Sequence, residues 1–324
     1  MLTLKKYIRP IIAIILLTLV FKLGFIDLSQ LSTSLKNPII LIAGFMAFAL
    51  QIGFFALRWK ALVNLETSYN FLNALKETLI GNFFNFFIPS GVGGDVIKAL
   101  SLSENHNLPK KISFALITVD RVLGLFALIL FSAIFLLVEY FYGLSENMEK
   151  LLKISLFLLV IASTGLLFLF YSKTILPKIK ARFKFHLIIK LIQIAEQIQF
   201  NIQKTLQSRF FLKIIGISFL SQCLSIGFLY LVNYMITQQL VSIFVFLPLA
   251  CFAFMASAIP LTPAGIGVGQ AAFFFIFSTI STESATAVST AISLMQFFNL
   301  VLSIPGGYFF ATSRKSTPNK MPKY

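Results

Sequence analysis

LIGNFFNFFIPSGVGGDVIK, residues 79–98, is an apolar stretch that cannot run as one unbroken helix. Pro89 has no N–H to donate, and Gly91, Gly93 and Gly94 each lower helix stability, so the helix must break inside a segment apolar enough for a membrane. A break frees backbone N–H and C=O groups, which are tolerated at membrane depth only when buried in protein or facing a wet cavity. A carboxylate, Asp95, follows directly. A second stretch, AIPLTPAGIGVGQ at 258–270, repeats the device with Pro260, Pro263, Gly265, Gly267 and Gly269. This pair is expected to define the working site.

The rest of the chain is that of an all-α polytopic membrane protein: 324 residues, 58% hydrophobic and 12% charged, with 38 Phe. A net charge of +16 would point to nucleic acid in a soluble protein, but here the basic residues cluster in loops between apolar runs, and no nucleic-acid partner is expected. Cys223 and Cys251 lie in apolar runs and His106 and His186 are the only imidazoles, so neither a disulfide framework nor a metal site is expected. Lys5, Lys6 and Arg9 precede an apolar run at 10–26 that is too long for a signal-peptide core and has no small-residue cleavage site; it reads as an uncleaved first span.

Runs of spanning length at about 10–26, 38–57, 112–138, 151–171, 210–233 and 286–311 give six full spans, and the broken segments add two re-entrant hairpins or, for the second, two further spans. Basic loops alternate with basic-poor ones, which places both termini in the cytoplasm of a cytoplasmic (inner) membrane protein. Both loops flanking 79–98 are basic, so that segment enters and leaves from the cytoplasmic side, while the second starts and ends outside. The halves, about 1–140 and 150–313, then read as an inverted repeat within one domain, 1–313, with corresponding features displaced by about 171 to 174 residues. Inverted repeats with interrupted helices are the pattern of transporters whose substrate site lies at the repeat interface. Between the halves, Leu187, Leu191, Ile194, Ile198, Ile202 and Leu206 recur at helical spacing, an amphipathic helix at about 185–207 that either lies on the cytoplasmic leaflet or links and packs on neighbouring loops. The tail, 314–324, is polar.

Polar groups in apolar segments need partners or a function. Asp95 either caps the returning helix, pairs with a cation or binds a proton; Asn82 and Asn85 precede the break, and Lys98 lies about a turn beyond it. Asp120 and Arg121 are adjacent in the third full span and so must find separate partners, Asp95 with Arg121 being one pairing. Arg58, beside the single Trp, Trp59, reads as an interfacial anchor. In the second motif Thr262 and Gln270 are the polar groups, and the amides of Gly265, Gly267 and Gly269 either form an anion-binding nest or serve close packing. For an enzyme the parts are missing: no nucleophile has a His partner, and GVGGDV lacks the Lys and preceding strand of a phosphate-binding loop.

At these residues the chain resembles the flippase-like integral membrane family that includes the membrane region of lysylphosphatidylglycerol synthases. The resemblance rests on Arg58-Trp59, GNFFNFFIPSGVGGDVIKAL at 81–100, Asp120-Arg121 and PLTPAGIGVGQAAF at 260–273, with Lys98 standing where the family motif typically has Arg. It implies a bilayer-embedded domain that moves a lipid with a charged headgroup between leaflets, without a cofactor. In the synthases a soluble aminoacyl-transfer domain follows; with the chain ending at Tyr324, that activity is not expected here. The expected partners are anionic membrane lipids and, alternatively, a lipid- or glycan-modifying enzyme. The substrate site is expected to draw on Asn82, Asn85, Pro89, Gly93, Gly94, Asp95, Lys98, Asp120, Arg121, Pro260, Thr262, Pro263, Gly265, Gly267 and Gln270. A membrane-embedded lipid-modifying enzyme and a small-solute transporter are the competing readings.

Overall fold

The computed structural model describes residues 28–88, 92–141, 143, 146–171, 186–207, 210–259 and 261–313. The first span at 10–26, the tail at 314–324, and Pro89, Gly91 and Pro260 lie outside the described residues. Eleven α-helices follow one another among the described residues: α1 Leu28–Lys36, α2 Pro38–Val63, α3 Phe71–Phe87, α4 Gly93–His106, α5 Lys110–Tyr140, α6 Glu146–Tyr171, α7 His186–Gln207, α8 Phe210–Thr237, α9 Ile243–Ser257, α10 Val268–Phe277 and α11 Thr282–Ser313. No strand is present among these residues. The protein is an all-α polytopic membrane protein, and α2, α5, α6, α8 and α11 are each long and apolar enough to cross a bilayer.

Local chemistry sets the ends of these helices. Asn37 caps α2 by accepting the Ile39 N–H at 2.9 Å, with Pro38 in the first turn, where a missing N–H is harmless. Asn70 caps α3 through the Asn73 N–H at 2.8 Å. Both broken segments form helical hairpins. The legs of the first, α3 and α4, have 17 and 14 residues, and those of the second, α9 and α10, have 15 and 10. Each falls short of the ~20 residues a span needs, which favours hairpins that turn back within the membrane over four full crossings.

Small residues let the legs approach. A Cβ on Gly94 would strike the Gly81 carbonyl oxygen, so only glycine fits where α4 leaves the break. In the second hairpin the legs meet through aromatic rings, with Phe254 and Phe273 at 5.0 Å and Phe246 and Phe277 at 4.8 Å between centroids. The long helices cross between the halves: α2 packs on α8, α3 on α11 and α5 on α9. At the α2–α8 seam Gln51 hydrogen-bonds Ser225, and Phe48 meets Phe228 at 5.1 Å.

The amphipathic segment forms a helix that packs on its neighbours. α7 lies against α5 and α6 with Ile202 and Thr205 buried. Gln199 and Gln203 both donate to the Leu169 carbonyl at the end of α6, and Lys204 reaches the Leu65 carbonyl and the Glu66 carboxylate. The basic lead-in before His186 lies outside the described residues.

Candidate functional site

The two hairpins meet at one cavity. Its volume is about 240 Å³, and it is walled by Asn82 and Asn85 of α3, Arg121 of α5, Ser257 of α9, Thr262 and Gly265 of the second break, and Gln296 and Asn299 of α11. Thr262 is 1% exposed, and its hydroxyl has no hydrogen-bond partner among the described residues. A buried hydroxyl left that way in a polar wall calls for water or a ligand.

Arg121 is the cation of this wall. Asp95 holds it through two parallel bonds, Nε to Oδ2 at 2.8 Å and Nη2 to Oδ1 at 2.9 Å, the pairing expected from the sequence. This bidentate geometry fixes the guanidinium plane. A guanidinium has five N–H donors, so after Asp95 is served it can still present a fork of donors to an anion. Capping the returning helix falls to another residue: Asn85 Oδ1 accepts the Gly94 N–H across the break at 3.1 Å, while Asp95 sits in the first turn of α4 with its carboxylate on Arg121. Gly93 and Gly94 are buried, and Gly94 serves the close packing of the legs.

The neighbouring charges form a second hydrogen-bonded pair beside that of Asp95 and Arg121. Asp120 accepts from Arg58 Nε at 2.8 Å and from Nη2 at 3.1 Å, and Arg58 Nη1 donates to Ser218 at 3.1 Å. Arg58 is therefore not an interfacial anchor: it is 9% exposed, and the adjacent Trp59 is fully buried. The anchor pattern misleads because α2 continues to Val63, carrying this pair into the protein interior. Lys98 is buried too, with its ammonium 4.0 Å from the centroid of the Trp59 ring, and it does not line the cavity.

In the second break the backbone turns sharply, with Ala264, Gly265 and Gly267 at positive φ. Its amides are already engaged: Gly265 N–H donates to the Thr262 carbonyl at 3.2 Å, and Gly267 N–H to Gln270 Oε1 at 2.7 Å. An anion nest on these two glycines is thus not formed, and Gly269 packs against Ile292. Pro263 opens the short 3-10 turn Pro263–Gly265. Gln270 stands behind the wall, passing its Nε2 to Gln296 Oε1 at 2.7 Å, and Gln296 in turn donates to the Ala264 carbonyl at 3.3 Å.

The structure thus brings Asn82, Asn85, Arg121, Thr262 and Gly265 to the cavity and places Asp95, Gln270 and the hairpin glycines in support, with Lys98 and Asp120 in the buried network. Ser257, Gln296 and Asn299 were not expected from the sequence. The signal for the last two is MQFFNL at 295–300, which puts two amides three residues apart in an apolar span. Among the described residues no three His, Cys, Asp or Glu side chains cluster as a metal site, and Cys223 and Cys251 are free thiols.

No solved structure matches the chain. It is 24% identical over 274 residues to the UPF0104 membrane protein MJ1595 of Methanocaldococcus jannaschii, with 79% of each chain covered. The family described as Lysylphosphatidylglycerol synthase TM region matches residues 8–306, and the chain belongs to that family.

Proposed function

We propose that the protein moves a phosphate-bearing lipid, an anionic or modified phospholipid or a polyprenyl lipid, between the leaflets of the cytoplasmic membrane. The observation that carries this reading is the polar cavity between the two hairpins, with one oriented cation in its wall. Arg121 receives the phosphate through the N–H donors that Asp95 leaves, while Asn82, Asn85, Thr262, Gln296 and Asn299 replace the water of the headgroup. The acyl chains stay in the bilayer.

An inverted repeat fits this path. The contacts of α3 with α11 and of α5 with α9 exchange under the operation that swaps the halves, and the α2–α8 contact maps onto itself. With both termini cytoplasmic, as the loop charges favour, the first hairpin opens inward and the second outward, so the cavity lies where access alternates.

Leaflet exchange of fluorescent phospholipids in liposomes carrying the purified protein tests the proposal. Hydrogen bonds to a charged group are worth about 1.5–3 kcal/mol, so Arg121→Ala should slow exchange by roughly 10- to 100-fold. Unchanged exchange in both Asp95→Ala and Arg121→Ala would remove the site. If the protein instead modifies a lipid or supports a synthase, lipid extracts from a deletion strain will lack a species rather than hold it in the wrong leaflet.

A further inference from the structure

The first hairpin carries a second carboxylate that the cavity does not use. Glu77 of α3 is 3% exposed. Its Oε2 accepts the Trp59 indole N–H at 2.9 Å, and the Tyr69 hydroxyl lies beside the carboxylate; Oε1 is buried outside hydrogen-bond geometry with any other described residue. Glu77 also forms part of the wall of a separate cavity of about 330 Å³, with Asn73, Lys76, Ser101, Asn105, His106 and Thr312. Polar walls and this volume admit several waters at ~30 Å³ each. The Trp59 indole that binds Glu77 also carries the Lys98 ammonium, and Lys98 lies one helical turn from Asp95.

We propose that Glu77 is a proton-binding site, loaded from water in this second cavity and coupled through Trp59 and Lys98 to the Asp95–Arg121 pair. The step is proton transfer alone: a hydronium ion in the cavity gives up one O–H bond and becomes water as an O–H bond forms on the Glu77 carboxylate, and the reverse step returns the proton. Protonation makes Oε1 a donor and removes a negative charge that faces Lys98. The Lys98 ammonium is then left to Asp95 and Asp120, and Asp95 is the group that orients Arg121. The other titratable or charged groups around Glu77 are Tyr69, His106 on α4 and Lys76 on α3; α2 adds Arg58, tied to Asp120 of α5, and α11 adds only Phe309 and Thr312 to this cavity.

Trp59 is the single tryptophan, so its fluorescence reads this site directly. The purified protein in detergent micelles is titrated from about pH 4 to about pH 9, a range reaching from an ordinary Glu to a fully buried one. Emission should pass through one transition that Glu77→Gln abolishes and His106→Ala retains. Flat emission, a transition that survives Glu77→Gln, or one lost in His106→Ala would each overturn the proposal. Should Glu77→Gln fail to fold, infrared difference spectra of the wild type decide: a carboxylic-acid carbonyl band with the same midpoint supports the site, and its absence refutes it. Neither readout requires lipid movement, so this proposal and the transport proposal fail separately.

Discussion

Breaking the two arginine–aspartate pairs one at a time separates what holds the fold from what serves the cavity. Among the described residues, Asp120→Ala leaves Arg58, 9% exposed, with the Ser218 hydroxyl and the Phe55 ring 5.3 Å from its guanidinium. An uncompensated buried charge of this kind costs about 3–5 kcal/mol. Asp95→Ala leaves Arg121 opening on the polar cavity, where water can take the place of the carboxylate, so its loss should cost less than that of Asp120. Unfolding in detergent micelles, followed by far-ultraviolet circular dichroism as a denaturing detergent is added, should therefore show Asp120→Ala unfolding well before the wild type. Asp95→Ala should stay closer to wild-type stability while its leaflet exchange falls. Combining Arg58→Met with Asp120→Leu removes both charges and should recover most of the lost stability, because a buried pair replaced by apolar groups of similar volume is often neutral or better. The reasoning is refuted if Asp95→Ala destabilises as much as Asp120→Ala, or if the double variant is no more stable than Asp120→Ala alone.

Two further substitutions probe the breaks. Gly94→Ala would drive a methyl into the Gly81 carbonyl and to 2.6 Å from Asn85 Oδ1, forcing the hairpin legs apart at about 1–3 kcal/mol in the same unfolding assay; Gly53→Ala, with nothing within 4 Å, should be neutral or stabilising by up to about 1 kcal/mol. Gln270→Ala removes the acceptor of the Gly267 N–H and the donor to Gln296, which should cost about 1–3 kcal/mol and slow leaflet exchange by freeing a cavity residue from its support.

Legibility in the sequence followed the range of the physics involved. The breaks were readable because Pro89, Gly93 and Pro263 act through their own backbone chemistry, without reference to distant residues. The Asp95–Arg121 pair was readable because charges in apolar segments must find partners. Arg58 is the opposite case. Beside Trp59 it has the local signature of an interface anchor, yet the partner that decides its place, Asp120, comes from another helix. The glycine amides of the second break depended on turn geometry: Ala264 at φ 49° bends the chain so that its N–H groups close on Thr262, Pro263 and Gln270 instead of facing outward. Gln296 and Asn299 carried a signal of their own, two amides in an apolar span, and it went unread.

The seam between α3 and α11 ties these parts together. A Cβ on Gly306 would collide with the Leu79 backbone, and one on Gly307 would come within 2.8 Å of the Phe83 ring, so α3 lies directly against α11. The same two helices supply Asn82 and Asn85 from one side of the cavity and Gln296 and Asn299 from the other. Glu77 sits on α3 five and eight residues before those asparagines, in the wall of the second cavity, to which α11 also contributes Phe309 and Thr312. Any shift of α3 along α11 must therefore change both cavities together, one walled by the cation that suits a headgroup and the other by the carboxylate proposed to take a proton. Neither hairpin makes the Arg121 cavity alone, because its polar wall is completed only where the first hairpin meets the helix that follows the second.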